Sequence, residues 1–411
     1  MAKPKLPIPE PLRGMDPDSF AYHTIVERLP DIIRRVLSEN DFSQTVVRRL
    51  EILIEEIPFA QIRHLNDSEA PDASEWTQYI EPYLDHNWLQ ISWFLAETYF
   101  YRRLLEATGY FKPGAGYRVD PYTYQKQRGL ETTHAAIANL GIQLSTWAKQ
   151  SAKTFDHLTS LLAIDLWGNQ ADLSLWPAGQ DQQPKHADLQ TSQRHILVND
   201  ASHVIAYLAG QMDKSPRIDF IVDNAGFELV CDLALTDFLL SSRLASTVVL
   251  HLKYHPTFVS DAIIKDGEQT IDYLANDVQP DIKNFGQRLQ AHLGTNRLRL
   301  QDDLFWTSPL SFWDMPEKIR GELARSNLLV SKGDANYRRL LGDRHWPYTT
   351  PFADIVSYLP APLVALRTFK SEVAAGLQPE QIKILEADDP DWLTNGWRGI
   401  IQFAACQPLF E

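Results

Sequence analysis

One stretch constrains the fold of this chain more than any other: residues 218–240, which read IDFIVDNAGFELVCDLALTDFLL. The stretch opens with an apolar run at 218–222 whose length and β-branched residues predict a buried strand. After Gly226 the apolar residues recur at helical spacing, which predicts a largely buried helix. A strand that passes directly into a helix is typical of an open α/β sheet, where ligands bind beyond the carboxyl ends of the strands.

Asp223 and Asn224 lie at this predicted strand end. Their side-chain oxygens, next to the positive end of a helix, suit a divalent cation and a phosphate together. On their own, however, the residues 223–226 favour a plain turn in which Asp or Asn caps the helix. The choice between a site and a turn therefore depends on the rest of the chain.

Four further apolar runs predict strands in the second half of the chain, at 247–253, 297–300, 327–331 and 362–367. Helical or loop segments separate them, the pattern of a parallel sheet covered by helices on both faces. Before the first strand, the segment 196–211 is predicted to be a helix, and residues 1–185 show helical periodicity without a strand. We therefore predict an α/β fold, a mainly parallel αβα sandwich, with an all-helical N-terminal domain at 1–185 and a catalytic domain at 186–411.

The composition disfavours several classes of protein. Of the 411 residues, 44% are hydrophobic and 22% are charged, as in ordinary soluble proteins. The net charge of -14 disfavours nucleic acid and anionic membranes as main partners, because both would repel the chain at long range. Two cysteines indicate neither a disulfide framework nor a cysteine metal site. The sequence shows no apolar leader and no run long enough to span a membrane, so we expect a cytosolic protein, with a nuclear location as an alternative. The sequence does not predict the oligomeric state.

Polar side chains follow the other predicted strands as well. Asp261 comes a few residues after the second strand, the segment 332–338 follows the fourth, and Lys370 follows the fifth. In a parallel sheet these strand ends share one edge. Carboxylate and amide oxygens favour Mg²⁺ or Mn²⁺, whereas lysine and arginine neutralise phosphoryl oxygens. The strand ends together predict a divalent-metal site beside a phosphate-binding site.

Each of these residues also has an alternative role. Asp261 can be a loop or capping residue, Glu228 can be a first-turn residue favoured by the helix dipole, and the lysines and arginines can be surface charges. His251 and His255 could join Asp261 as metal ligands, but strand histidines are more often packed or solvated.

Two segments outside the strand ends could also contribute to a site. Glu97 lies among the aromatic residues of a predicted helix, and a charged residue there usually has a partner, which Arg28, Arg102 or Arg103 could supply. The aromatic loop 305–313 is expected either to wall a pocket and select the ligand or to belong to the core only.

Several motifs of this sequence resemble the damage-control phosphatases, a family long described as a domain of unknown function. The motifs are 223–229 (DNAGFEL), 232–233 (DL), 258–261 (FVSD), 305–307 (FWT), 313–316 (WDMP), 332–338 (KGDANYR) and 367–370 (RTFK). The last of them, an RTxK pattern, is typical of the subgroup that acts on sugar phosphates. The segments 19–30, 93–103, 120–130 and 168–174 also resemble that subgroup, so the similarity spans nearly the whole chain.

The resemblance implies a helical N-terminal domain on an α/β sandwich, and a phosphatase that depends on a divalent metal such as Mn²⁺, Co²⁺, Ni²⁺ or Mg²⁺. It implies that Asp223, Asn224 and Asp261 bind the metal, and that the substrates are phosphorylated metabolites such as fructose 1-phosphate. The predicted catalytic residues are Asp223, Asn224 and Glu228. The predicted substrate-binding residues are Arg28, Glu97, Lys332, Asp334, Asn336, Tyr337, Arg338, Arg367 and Lys370.

Two other functions stay open at this point. A relative within the family has been described as a carboxyl methyltransferase that uses S-adenosylmethionine, although this sequence has no glycine-rich turn after its first strand. A non-enzymatic metabolite-binding protein is the third interpretation. For a phosphatase, the sequence does not decide whether Asp223 or Glu228 takes the proton of the attacking water or whether a carboxylate attacks phosphorus directly.

Overall fold

The computed structural model of this chain describes residues 3–168 and 194–405. Three predicted features lie outside the described residues: the domain boundary at residue 185, positions 169–174 of the last N-terminal motif, and a surface loop expected at 176–185. The division of the chain into two domains therefore stays a prediction.

A seven-stranded sheet forms the centre of the described residues. Its strands are β1 Ile196–Asn199, β2 Arg217–Ile221, β3 Thr247–Lys253, β4 Leu298–Asp303, β5 Leu328–Lys332, β6 Leu363–Thr368 and β7 Gly399–Ala404. Their order across the sheet is β1-β7-β6-β5-β2-β3-β4, and every neighbouring pair is parallel except β6 with β7. The predicted α/β fold with a mainly parallel sheet is confirmed.

Helices cover both faces of this sheet. In chain order they are α1 Phe20–His23, α2 Leu29–Glu39, α3 Gln44–Glu56, α4 Ala73–Ile80, α5 Trp93–Thr108, α6 Thr123–Glu131, α7 His134–Trp147, α8 Thr154–Trp167, α9 Ala201–Ala209, α10 Phe227–Ser241, α11 Ile264–Ala275, α12 Pro280–Gly294, α13 Glu317–Leu323, α14 Gly333–Leu340, α15 Phe352–Ile355 and α16 Pro379–Asp388. A π-helix, Thr24–Arg28, joins α1 to α2. Within the described ranges, no helix is both long enough and apolar enough to cross a bilayer.

Side chains of the central strands β5 and β6 alternate between two apolar clusters. On β5, Leu329 belongs to the cluster shared with α2, α3 and α5, whereas Leu328 and Val330 belong to the cluster shared with α8, α10 and α12. This alternation is the two-residue period of a strand that is buried on both faces. The alternation therefore determines which side chains near the end of each strand can meet on the same face of the sheet.

Two strands differ from the sequence-based expectation. The segment 196–211, predicted as one helix, forms β1 and then α9, and β7 was not predicted. An apolar run of three residues, Ile196 to Val198, has too few positions to distinguish a strand from the start of a helix. β7 lies between β6 and β1, so both missed strands belong to the same end of the sheet.

The carboxyl ends of β2 and β5 meet at the point where the connections of the sheet change direction. The chain runs from β2 to β3 on one side and from β5 to β6 on the other, although β2 and β5 are themselves neighbours. Connections that diverge in this way leave a crevice beyond the carboxyl ends of the two strands, where α/β proteins bind ligands.

Candidate active site

A cavity of about 180 Å³ opens at this crevice. The ends of β2, β5 and β6 line it together with the loop after β3, and the N-terminal helices contribute Arg28, Trp93, Glu97 and Leu166. The predicted site residues that line it are Arg28, Glu97, Asp223, Asn224, Glu228, Asp261, Asp334, Arg338 and Lys370.

A short backbone pairing brings Asp261 beside Asp223. The Ala225 amide donates to the Ser260 carbonyl at 2.7 Å, and the Ala262 amide donates to the Asp223 carbonyl at 2.8 Å. These bonds form an isolated antiparallel bridge that folds the loop after β3 back across the turn after β2. Side chains from two distant parts of the sequence thereby meet at one corner of the cavity.

The Asn224 side chain connects the acidic residues of this corner. Its amide nitrogen donates to Asp223 Oδ2 and to Glu228 Oε2, both at 2.8 Å, and its oxygen accepts a hydrogen bond from Ser260 Oγ at 2.5 Å. Asn224 therefore holds two carboxylates at a set separation, and Ser260 orients Asn224. Sequence reasoning did not assign a role to Ser260, although Ser260 belongs to the 258–261 motif and lies next to Asp261.

Asp223 and Asp261 suit a divalent cation on electrostatic grounds. Burial, followed by the nearby carboxylates of Asp261 and Glu228, raises the pKa of Asp223 well above its ordinary value, and Asp223 Oδ1 is buried without a hydrogen-bond partner. Burial also raises the pKa of Asp261, although the ammonium of Lys253, 3.2 Å from Asp261 Oδ2, opposes this. Buried negative charge with a free carboxylate oxygen favours a bound cation.

The donor set that fits a cation here contains an amide. Among residues 3–168 and 194–405, no three histidine, cysteine, aspartate or glutamate side chains are arranged to hold a metal ion by themselves. Asp223, Asn224 and Asp261 supply two carboxylates and one amide oxygen, all hard oxygen ligands of the kind that Mg²⁺ and Mn²⁺ accept.

Gly333 allows β5 to approach Asp223 closely. Its φ of +77° lies in the left-handed region that favours glycine, and a Cβ atom there would collide with the Asp223 carboxylate. Gly333 is also the first residue of α14, so the positive end of that helix lies at the cavity. The site can therefore attract an anion next to its acidic corner.

Two cations line the cavity without an ion-pair partner among the residues that the structure describes: Arg28, at the end of the π-helix, and Lys370, after β6. Arg338 differs from them, because its guanidinium lies 2.5 Å from Glu97 Oε2 and 2.7 Å from Asp343 Oδ1. The positive charge of Arg338 is thus neutralised by the protein. Arg28 and Lys370 are the cations available to an anionic ligand.

Asp334 is a carboxylate that the protein holds ionised at the cavity. Its Oδ1 accepts hydrogen bonds from Arg367 Nε at 2.7 Å, from Ser371 Oγ at 3.0 Å and from the Lys370 amide at 3.2 Å. Burial alone would raise the pKa of Asp334, but the guanidiniums of Arg367 and Arg338 outweigh it and lower that pKa. A fixed anion repels phosphate, so Asp334 suits the hydroxyl groups of a ligand.

Lys332 points away from the cavity. Its ammonium lies 2.6 Å from Asp165 Oδ1 and 2.8 Å from Asp232 Oδ1, and all three side chains are buried. Strand alternation explains this orientation, because Lys332 shares a face of β5 with Leu328 and Val330. The lysine that sequence reasoning assigned to a phosphate is thus placed on the opposite face of the sheet.

Three other predicted substrate-binding residues do not line the cavity but pack behind it. Asn336 donates to a carbonyl at the end of β2 at 3.1 Å and accepts from Lys253 Nζ at 3.1 Å. The Tyr337 hydroxyl donates to Gln402 Oε1 at 2.8 Å, and Arg367 lies 4.3 Å from the centre of the Tyr337 ring. Lys253, which sequence reasoning did not assign, is thereby fixed between Asn336 and the acidic corner.

The aromatic loop 305–313 packs in the core and does not line the cavity. Its backbone surrounds Arg339, whose guanidinium donates to the carbonyls of Phe305, Trp306 and Leu310 at 2.8, 3.2 and 3.0 Å. Of the two alternatives for this loop, the contacts in the described residues match the core role.

Both strand histidines are packed rather than placed at the cavity. His251 Nε2 lies 3.0 Å from Asp219 Oδ1, and His255 Nδ1 donates to the Pro256 carbonyl at 3.0 Å. Among the residues that the structure describes, His255 Nε2 is buried without a hydrogen-bond partner, so burial opposes a proton there, and the Asp72 carboxylate, whose Oδ2 lies 3.8 Å away, offsets only part of that cost.

Protonation of His255 is expected to destabilise the fold in acid. Burial lowers the pKa of His255 from 6.5 to about 4, so the unfolded chain takes up this proton first. Between about pH 6.5 and pH 4 the free energy of unfolding should therefore fall as the pH falls, with roughly 3 kcal/mol coming from this residue. Urea unfolding at pH 7 and pH 4 should show a smaller loss in His255→Asn than in the unmodified chain. His23→Asn, at an exposed histidine, is the control, and equal losses in all three proteins would contradict the prediction.

Comparison with known proteins agrees with the resemblance drawn from the motifs. A family model described as the damage-control phosphatase ARMT1-like domain matches residues 24–385. Proteins named damage-control phosphatase ARMT1 are 33% identical in Rattus norvegicus (95% of this chain, 98% of the relative), 33% in Danio rerio (97% and 97%) and 32% in Homo sapiens (96% and 98%). A solved DUF89 family protein from Pyrococcus horikoshii is 12% identical, with a TM-score of 0.44 over 92% of this chain and 97% of that one. The chain therefore belongs to the damage-control phosphatase ARMT1-like family and is a phosphatase.

Proposed function

We propose that this chain is a divalent-metal-dependent phosphatase that hydrolyses phosphorylated sugars such as fructose 1-phosphate, as part of metabolite damage control. The observation that carries the proposal is the meeting of Asp223, Asn224 and Asp261 at one cavity. Arg28 and Lys370, which have no ion-pair partner in the part of the chain that the structure describes, line the same cavity. Mn²⁺, Co²⁺, Ni²⁺ and Mg²⁺ are the candidate metals, since oxygen ligands accept such divalent cations.

The residues at the cavity have separate roles in the release of phosphate. Asp223, Asn224 and Asp261 would hold the metal, which would polarise the phosphoryl group as a Lewis acid and lower the pKa of a water. Arg28 and Lys370 offset the negative charge of the phosphoryl oxygens, as does the positive end of α14. Asp223 and Glu228 both line the cavity and are both bonded to Asn224, so either can accept the proton of the attacking water.

The part of the cavity around Glu97 and Asp334 suits a sugar. Glu97 is paired with Arg338 and Asp334 with Arg367, so both carboxylates are held in place and can accept hydrogen bonds from hydroxyl groups. A substrate with a carboxylate of its own would be repelled there, because the positive partners of both residues are already neutralised. This arrangement supports polyhydroxylated phosphate esters as the substrate class.

A screen of phosphate release tests this proposal. We expect EDTA to abolish turnover, one or more of Mn²⁺, Co²⁺, Ni²⁺ and Mg²⁺ to restore it, and ketose or aldose phosphates to exceed phosphoserine and phosphoglycolate by about tenfold or more in kcat/KM. Turnover that EDTA leaves unchanged would overturn the metal dependence, and preferred hydrolysis of phosphorylated acids would overturn the substrate class. Incubation of the same sample with labelled S-adenosylmethionine tests the alternative, a carboxyl methyltransferase. Transfer of label to protein carboxylates without release of phosphate would favour the methyltransferase.

A further inference from the structure

The loop that carries Asp261 contains two consecutive residues in the left-handed backbone region. Phe258 has a φ of 45° and Val259 a φ of 67°. This region is unfavourable for residues other than glycine, and most of all for β-branched residues such as valine. Conformations of this kind persist only where the surrounding structure imposes them. The loop therefore needs an external support.

Helix α5 supplies that support through two aromatic residues. The Phe258 ring lies against Phe94, with centroids 5.7 Å apart and planes at 28°, and against Tyr101, with centroids 4.9 Å apart and planes at 41°. Phe94 and Tyr101 are seven residues apart, so they share one face of α5 two turns apart. Both are buried, at 5% and 2% exposure, so neither ring can move aside without repacking.

The same face of α5 links this contact to the cavity. Glu97 lies between Phe94 and Tyr101 in the helical sequence and lines the cavity, as Phe258 does. Beyond the strained turn, the Ser260 amide donates to the Phe258 carbonyl at 2.8 Å, and the backbone bridge to Asp223 follows immediately. A shift of the Phe258 ring would therefore displace Asp261, because Asp261 follows Phe258 by only three residues along the backbone.

We infer that Phe94 and Tyr101 are positioning residues for Asp261: by holding the Phe258 ring between them, they maintain the strained turn that presents Asp261 to Asp223. The inference rests on the proposed function in one respect, because Asp261 acts as a ligand only if the enzyme uses a metal. Phe94, Phe258 and Tyr101 together form this clamp, and neither Phe94 nor Tyr101 needs to touch the substrate itself.

Binding of Mn²⁺ to metal-free protein tests the clamp directly. Phe94→Leu and Tyr101→Leu should each weaken the Kd for Mn²⁺, measured by titration calorimetry, by about tenfold or more. Phe285→Leu is the matched control, because it also removes a buried ring from a helix, but in α12 and in the other apolar cluster. The control should bind Mn²⁺ as the unmodified chain does.

Rescue by glycine separates a positioning role from a general loss of stability. Glycine adopts the left-handed region without the steric cost that valine has there. Adding Val259→Gly to Phe94→Leu should therefore restore part of the lost Mn²⁺ affinity. If the role of Phe94 is merely structural, adding Val259→Gly removes a second core side chain. The double variant should then be less stable than Phe94→Leu and should regain no Mn²⁺ affinity.

Hydrogen exchange gives a readout that does not require metal. The amides of Ala225 and Ala262 donate across the bridge between the two loops, so their exchange rates report how firmly Asp261 is held. In EDTA, both amides should exchange about tenfold faster or more in the clamp variants, and at the unmodified rate in Phe285→Leu. Phe94→Leu, which keeps an apolar side chain, decides the result alone if Tyr101→Leu does not fold.

The two readouts separate failure of the clamp from failure of the proposed function. Unchanged exchange and unchanged Mn²⁺ affinity in the clamp variants would overturn the inference. If the unmodified chain binds no Mn²⁺ while the amides of the clamp variants still exchange faster, the proposed metal-dependent function is wrong. The inference that the clamp positions Asp261 is then still supported.

Discussion

Replacing Asp223 by asparagine should lower kcat/KM for metal-dependent phosphate release by at least about 10³-fold while leaving the fold intact. Asparagine preserves the size of the side chain and one of its oxygens, but it removes the negative charge that a divalent cation requires beside Asp261. Phosphate release at saturating Mn²⁺, followed over a wide range of enzyme concentrations, measures the loss. Full turnover in Asp223→Asn would remove Asp223 from the site.

The same replacement should make the metal-free protein more stable. Asp223 is buried, its Oδ1 has no hydrogen-bond partner, and burial together with Asp261 and Glu228 raises its pKa well above the ordinary value. A neutral amide avoids this repulsion, so the free energy of unfolding in EDTA should rise by about 1–3 kcal/mol. Asp388→Asn, at an exposed aspartate of α16, should alter neither activity nor stability. Lower stability of Asp223→Asn would show that the fold already compensates the charge of Asp223.

Replacing Lys332 by methionine should lower the free energy of unfolding by about 3–5 kcal/mol, one of the largest effects expected for a single replacement in this chain. The Lys332 ammonium lies 2.6 Å from Asp165 and 2.8 Å from Asp232, so its removal leaves two buried carboxyl groups facing each other. Burial raises the pKa of Asp232 well above its ordinary value, although the nearby Lys332 ammonium opposes this. Asp232→Asn leaves Lys332 paired with Asp165, so it should cost less, about 1 kcal/mol.

Lys370→Met is the matched control for Lys332→Met, because Lys370 lines the cavity and has no ion-pair partner among the described residues. We expect it to lower kcat/KM by about 10²-fold and to change the free energy of unfolding by no more than about 0.5 kcal/mol. Urea unfolding and phosphate release measured on both lysine variants separate the two roles. A Lys332→Met protein that is inactive but as stable as the unmodified chain would contradict this prediction and would support a role for Lys332 in phosphate binding.

The fold was largely predictable because its central strands are long apolar runs followed by polar turns. The unit 218–240 forms β2 and α10 as predicted, and the runs that became β3, β5 and β6 agree with the observed strands to within one residue, whereas β4 extends three residues beyond its predicted end at residue 300. β1 was missed because its three apolar residues, Ile196 to Val198, also fit the start of a helix. β7 was missed although its sequence, GIIQFA, contains a short apolar run that is interrupted only by Gln402.

The site was predictable in its strand ends but not in the direction of each side chain. Lys332 and Asp334 are two residues apart, yet one points into a buried ion cluster and the other lines the cavity. β5 ends at Lys332 and α14 begins at Gly333, so Asp334 no longer follows the two-residue alternation of the strand, and a single sequence does not fix that boundary. Lys253 was overlooked because a lysine that ends an apolar strand has no distinguishing local pattern.

The pairing of β2 with β5 also determines when during folding the enzyme can become active. A hydrogen bond between Arg217 and Asn327 at the start of these strands spans 110 positions of sequence, so the crevice forms only after a long segment of chain has been enclosed. Contacts this distant form slowly and late compared with local helices. Recovery of catalysis after dilution from denaturant should accordingly lag behind the return of helical circular dichroism.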